Sequence, residues 1–261
     1  MVKNFQFKQN YNIDDLIEIV KILRSPGGCP WDAEQTHESI KLDLLEEAYE
    51  TVDAINCKDP QMMCEELGDV LLQVVFHARV SKENGGFNLD DVADGVCKKL
   101  IYRHPHVFGS VEVSSSDEVL DNWDNLKKKE KSQTTATDTL KSVPVAFPAL
   151  MRAQKVQKRA SKAGMDFSSV SDAFSKIAEE IEELKSAQKN NSNIFEEAGD
   201  LLFSCVNVIR LLGLDAEESL AASTEKFISR FSKAEELSLK DGKQIADLSE
   251  SEQNKLWDRV K

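Results

Sequence analysis

The carboxylates of this chain follow a pattern that occurs twice. Glu47 and Glu50 stand three apart, as do Glu66 and Asp69 in the segment that follows. The spacing returns at Glu180 and Glu183, then at Glu197 and Asp200. Residues three apart on a helix share a face, so each pair points one way. If the two helices of a set lie antiparallel, four carboxylates meet. Unpaired, they repel and raise one another's pKa. A divalent cation removes that penalty. An all-oxygen donor set favours a hard ion, Mg²⁺ with Mn²⁺ as a substitute, over zinc. Mg²⁺ keeps several waters and completes its shell with substrate phosphates. The expected substrate is therefore a phosphate compound.

A single Glu-Glu-x-x-Glu is most often a solvated helix face. The second half of each set argues against that reading here. Asp200 precedes Leu201-Leu202-Phe203, an apolar run that predicts burial, and a buried carboxylate needs a partner. Gly68 and Gly199 each lower helix propensity by roughly 1 kcal/mol relative to Ala. They predict close approach of another helix or a ligand.

Other groups could complete a site. Glu197, Asp200, Ser204 and Asn207 form a polar stripe, as do Glu66, Asp69 and Gln73. Asn207 either hydrogen-bonds a base or sugar or serves as a helix-packing amide. Lys226 and Arg230 are four apart, with counterparts Lys99 and Arg103. Arg offers a planar fork to phosphate oxygens and Lys a point charge; the alternative is a surface pair. Trp257 either stacks on a base or docks its own helix. Glu179 or Glu180 could take the proton of an attacking water. His104-Pro105-His106 reads as capping or packing, because Pro ends the helix there. The lone Glu34-x-x-His37 lacks the second copy that a di-iron bundle needs. Neither a P-loop nor a Gly-x-Ser-x-Gly elbow occurs in the sequence.

Helices must position these groups, and the periodicity supplies them. Leu45, Ala48, Val52 and Ile55, and then Leu67, Leu71, Val74 and Ala78, recur at helical spacing. No convincing hairpin signal is present, so the expected class is all-α. Helices are predicted over 12–24, 38–57, 61–83 and 89–103, with a short one around Trp123 and a new series from Pro148. The polar stretch 132–138 has too little apolar content to pack. It places a linker at 132–143, between an N-terminal domain 1–131 and a C-terminal domain 144–261. The carboxylate sets, Lys99-Leu100-Ile101-Tyr102-Arg103 against Lys226-Phe227-Ile228-Ser229-Arg230, and Trp123-Asp124 against Trp257-Asp258 all recur in order. Their offset is nearly constant, which marks a duplicated helical unit.

Composition narrows the function further. The 261 residues carry a net charge of −13, a poor fit to non-specific nucleic-acid binding. No apolar run approaches the roughly 18 residues of a membrane span, and the first residues lack a signal-peptide core. Five cysteines without a Cys-x-x-Cys pair argue against a disulfide framework or zinc ribbon. A cytoplasmic protein with reduced thiols is expected, without membrane or nucleic-acid partners.

These residues, with Gly28-Cys29-Pro30-Trp31-Asp32-Ala33-Glu34-Gln35-Thr36-His37, Arg103-His104-Pro105-His106-Val107-Phe108 and Leu150-Met151-Arg152-Ala153-Gln154-Lys155, resemble the MazG family of nucleoside triphosphate pyrophosphohydrolases. The resemblance covers nearly the whole chain, duplication included. It implies Mg²⁺-dependent hydrolysis of NTPs and dNTPs to the monophosphate and pyrophosphate, in nucleotide-pool house-cleaning or stress control. It also implies a homodimer with active sites shared between subunits, and a C-terminal copy with the main activity. Glu180, Glu183, Glu197 and Asp200 would be metal ligands. Lys226 and Arg230 would hold the triphosphate, with Trp257 near the base. Glu47, Glu50, Glu66 and Asp69 offer a second metal site, with Lys99 and Arg103 beside it. The alternative is a non-catalytic nucleotide-binding sensor or regulatory partner protein.

Overall fold

The computed structural model describes residues 5–261, the side chain of Asp121 excepted. Among them all regular structure is helical, and the chain divides into unit 1, Met1–Lys127, and unit 2, Lys128–Lys261. In order the helices are α1 Ile13–Leu23, α2 Pro30–Glu34, α3 Asp43–Cys57, α4 Pro60–Glu83, α5 Leu89–Arg103, α6 Pro105–Phe108 and α7 Ser116–Glu130. They continue as α8 Ala136–Lys141, α9 Ala149–Lys162, α10 Val170–Asn190, α11 Ile194–Leu211, α12 Ala216–Lys240 and α13 Glu250–Asp258.

A helical hairpin is the centre of each unit. In unit 1, α3 ends on Lys58 in the left-handed region (φ 56). Asp59 then caps α4 by accepting from the Gln61 and Met62 amides, with Pro60 in the first helical position. So short a connection folds α4 back along α3. In unit 2 the reversal uses Asn191 (φ 51) and Asn193 (φ 54); Asn tolerates this conformation better than most residues. One further helix lies against the hairpin on the side of its second member: α1 on α4 in unit 1, α9 on α11 in unit 2. The following helix closes it, α5 on α4 and α12 on α11 and α9. The duplication is therefore present in the packing as well as in the sequence.

Unit 1 packs Val20, Ile40, Val75, Phe76 and Val80 into one core. Arg24 ties its parts together. It bonds Glu83 at 2.9 Å and the carbonyl of Gln35 at 3.1 Å, and lies over the Phe76 ring. In unit 2 the buried apolar residues include Val143, Ala173, Val206, Val208 and Leu256.

Three features alter or add to what the residues predict. Within 132–143 the chain forms α8, capped by Thr135 and Asp138 and packed on α9, and Val143 is buried. Arg159 donates to the Ser142 hydroxyl at 2.6 Å. The polar stretch is thus stapled by caps and an arginine where apolar content is low. Second, the apolar stripe of α3 is exposed: Leu45, Tyr49, Val52 and Ile55 all face outward, as do Leu67 and Leu71 on α4. Third, a Cβ at Gly68 or Gly199 would meet nothing within 4 Å, so no close approach occurs there in the single chain.

Candidate metal centre

The hairpins bring carboxylates together in both units. In unit 2, Glu180 and Glu183 of α10 and Glu197 of α11 each offer an oxygen within 4.8 Å of the others. In unit 1 the set is Glu47 of α3 with Glu66 and Asp69 of α4. Each cluster holds three of the four expected residues. Glu50 is outside the unit 1 triple but close enough to Glu66 to raise its pKa. Asp200 is outside the unit 2 triple. It is exposed rather than buried, because Leu202 and Phe203 beside it are themselves exposed.

The electrostatics are those of a site short of positive charge. Burial pushes Glu47 up, reinforced by Asp69, Glu50 and Glu66. Burial also raises Glu66, with help from Glu50 and Asp69. Glu183 is raised by burial and by Glu180, Glu179 and Glu197, against the pull of Lys176. Glu180 is only 4% exposed, and its Oε2 has no hydrogen-bond partner. A buried acceptor without a partner costs free energy until a donor or cation meets it. Hard oxygen donors, mutual repulsion and this orphaned oxygen all fit a small divalent cation such as Mg²⁺.

The units differ at one position that the sequence reading passed over. Lys176 bonds Glu180 at 2.8 Å and Glu179 at 2.9 Å. Its spacing, four before Glu180 and three before Glu179, is the signal that could have found it. The residue four before Glu47 is Asp43. Unit 2 therefore has its own lysine at the cluster, and unit 1 has a further carboxylate in that place.

The raised pKa values give a signed expectation. A carboxylate whose pKa is raised holds its proton at a higher pH, so protons compete with a cation sooner. As pH falls, Mg²⁺ affinity measured by calorimetry should begin to weaken above the ordinary titration range of free carboxylates. A flat affinity down to that range would remove these groups from the metal site.

The remaining candidates are dispersed. Lys226 and Lys99 are exposed, and Arg230 is half-buried. Arg103 is 7% exposed and lies over the Trp123 ring, which also meets the His104 ring edge-on. The Arg103-His104-Pro105-His106 segment thus packs, as the capping reading expects. Trp257 sits 5.2 Å from the Phe227 ring and docks α13 on α12. Asn207 accepts from Arg210 at 2.6 and 2.9 Å. His37, the lone Glu-x-x-His histidine, pairs with His77 at 2.8 Å instead of joining a carboxylate cluster.

Comparison with known proteins bears on what such a site does. The model of the MazG nucleotide pyrophosphohydrolase domain matches this chain twice, over residues 35–108 and 169–234. The chain belongs to the MazG family. Each matched MazG segment contains one hairpin with its carboxylate cluster. The chain is 44% identical over 248 residues to the nucleoside triphosphate pyrophosphohydrolase/pyrophosphatase MazG of Thermotoga maritima, covering 95% of each. It is 40% identical over 254 residues to the nucleoside triphosphate pyrophosphohydrolase of Escherichia coli K12, covering 95% of this chain and 97% of that one. It is also 44% identical over 246 residues to the uncharacterized protein YabN of Bacillus subtilis, where it spans 50% of the longer chain. The tandem all-α architecture is thus that of a MazG hydrolase, a family acting on acid anhydrides. No helix among the described residues is long and apolar enough to cross a membrane.

Proposed function

We propose that this MazG protein hydrolyses NTPs and dNTPs to the monophosphate and pyrophosphate, with Mg²⁺, in cytoplasmic nucleotide-pool house-cleaning. The observation that carries the proposal is the unit 2 cluster: three carboxylates within 4.8 Å, one of them buried with an unpartnered oxygen. Glu180, Glu183 and Glu197 would hold Mg²⁺, with Asp200 reaching the shell from the next turn of α11. When bound, Mg²⁺ supplies positive charge against the phosphate oxygens at which the leaving pyrophosphate develops. Lys176 holds Glu180 in place and adds a cation at the same edge. Glu179 has a 58% exposed side chain and lies outside the triple. It is the carboxylate left to accept a proton from the attacking water.

Lys226 and Arg230 of α12 hold the triphosphate in this reading. Lys226→Ala should raise KM about tenfold, in line with a charge-assisted contact, and lower kcat less. Steady-state kinetics with a saturating Mg²⁺ supply reads this, and an unchanged KM would take Lys226 out of the role. The exposed apolar stripes of α3, with Phe195 and Leu202 on α11, support a homodimer. Burying one such side chain fully contributes about 1.5–3 kcal/mol, and a second copy would also fill the open space at Gly68 and Gly199.

Product separation tests the function. The purified chain, given a panel of NTPs and dNTPs, should release monophosphate and pyrophosphate with Mg²⁺ and nothing with EDTA. Diphosphate with orthophosphate would place attack at the γ-phosphorus instead. Nucleotide binding without any product would make the chain a sensor.

A further inference from the structure

Two histidine rings meet in unit 1. Nδ1 of His37, in the loop between α2 and α3, stands 2.8 Å from Nδ1 of His77 on α4, and the rings are parallel within 10°. We infer that this pair is a proton-operated latch: it holds the α2–α3 loop on α4, and opening it takes up one proton.

Two nitrogens at hydrogen-bond length need one N–H and one lone pair between them. Either ring can be the donor, and in both cases a single proton lies in the bridge. A charged His37 still donates to a neutral His77. With both rings charged, two N–H groups face each other and the bridge is lost. The closed pair therefore admits one charge and the open pair two. His77 is the ring held neutral. It stands between the buried residues Phe76 and Ala78 on α4, and its own Nε2 is buried with no partner. An imidazolium there would leave a charged N–H unpaired out of water. Burial accordingly holds the His77 pKa below the ordinary histidine value, helped by His37 and opposed by Asp43.

The elements around α4 add little to this balance. α3, α1 and α5 pack on it, and Asp43 in the first turn of α3 is the carboxylate that favours a charged His77. On α1, Asp15 is paired with Lys8, Lys21 with Glu18 and Arg24 with Glu83. On α5, Asp91 accepts from the Asn88 amide and Asp94 pairs with Lys98. Arg79 of α4 itself pairs with Glu83, and Glu34 and Glu38 to either side of His37 are exposed. Among the described residues no third metal-binding side chain gathers at the two rings, so a proton fits between them and a metal ion does not.

The latch has a defined load. Arg24 holds the start of the loop at the Gln35 carbonyl, and Ile40 anchors its end in the core. Between them the His pair ties the loop to α4. The chain itself closes the α3–α4 hairpin at Lys58 and Asp59, and the latch fastens the end where α3 begins. Unit 2 has no such device. All four histidines lie in unit 1, and the repeat that carries Glu66 to Glu197 carries His77 to Val208, a buried apolar residue. The sign follows from the proton count. The open state binds one proton more, so closure is fully favoured above the ordinary histidine pKa of about 6.5 and weakens as pH falls below it, about tenfold per pH unit.

Hydrogen exchange of the full chain, corrected for the intrinsic pH dependence of the rates, tests the inference. The Ser39 and Ile40 amides of the wild type should lose protection about tenfold between about pH 6.5 and 5.5. His77→Asn keeps a group that can bond His37 Nδ1 but does not titrate; it should keep the protection at neutral pH and lose the pH dependence. His77→Phe removes both and should lower the protection at every pH. Unchanged protection of α11 in unit 2 shows that the variants fold. No pH dependence in the wild type, or the same dependence in both variants, would overturn the inference. So would protection that falls when EDTA is added, since a metal ion would then join the rings. A measurement free of variants stands beside these: in histidine-labelled wild type, the His77 ring should titrate by NMR below the ordinary histidine value. Titration at that value would also overturn the latch.

Discussion

Glu197→Gln should cut pyrophosphate release by about 1000-fold or more, with kcat and kcat/KM falling together. Glu197 is the only member of the unit 2 triple that α11 contributes. Removing its charge leaves only the two α10 carboxylates of the triple, with Asp200 outside it, to hold a divalent cation. A metal acting on phosphate oxygens is worth several kcal/mol in the transition state, and each 1.36 kcal/mol is tenfold in rate. The fold should not suffer. Glu183 is raised partly by Glu197, so deleting that charge relieves repulsion, and the melting temperature in EDTA should hold or rise. The matched change in unit 1, Glu66→Gln, serves as the comparison. If the C-terminal copy carries the main activity, Glu66→Gln keeps most of the turnover. Wild-type kcat in Glu197→Gln would take the unit 2 cluster out of the chemistry.

Gly28→Ala should have the largest effect on stability, a loss of about 3 kcal/mol or more in denaturant unfolding. A Cβ at Gly28 would stand 2.3 Å from the Ile22 carbonyl oxygen and 2.4 Å from that of Leu23. Both are backbone atoms at the end of α1, and backbone cannot move aside as a flexible side chain can. The loop is fixed on both sides, since Gly28 donates to the Ser25 carbonyl and Cys29 to that of Leu23, each at 2.8 Å. Relieving the overlap would break these bonds and shift Arg24, which joins α1 to Glu83 of α4. Strain in a fixed backbone is among the few mechanisms that reach so large a loss. Gly27→Ala is the control. Gly27 has φ +84 with open space around it, so that change costs only the about 1–2 kcal/mol of a left-handed alanine. Equal losses in the two variants would show that close packing at Gly28 is not the cause.

Much of this was legible in the residues. The helices of the unit 1 hairpin follow from apolar spacing, those of unit 2 from the repeat of its motifs, and the carboxylate pairs of both from spacings of three. The duplication was readable because four chemically distinct segments recur in one order. What failed depended on surroundings. The period of Leu45, Val52 and Ile55 predicts a helix correctly but is silent on what covers the stripe, and in this chain it is exposed. The run after Asp200 predicted burial for the same reason and met the same outcome. Within the expected linker 132–143, capping hydrogen bonds and one arginine hold α8 in place, and composition registers neither. Lys176 was overlooked because a lysine on a Glu-rich helix looks like an ordinary surface pair. Its position matters only once Glu180 is known to be buried. The pairing of His37 with His77 gave no signal at all, since residues 40 apart in sequence meet only in three dimensions.

The measurement closest to the central claim is a turnover of ATP in ¹⁸O-labelled water, with Mg²⁺ and with EDTA, and mass analysis of both products. Attack at the α-phosphorus, assisted by the unit 2 carboxylates, predicts label in the monophosphate alone and no products with EDTA. Label in the pyrophosphate or in orthophosphate would contradict it, as would undiminished turnover in EDTA.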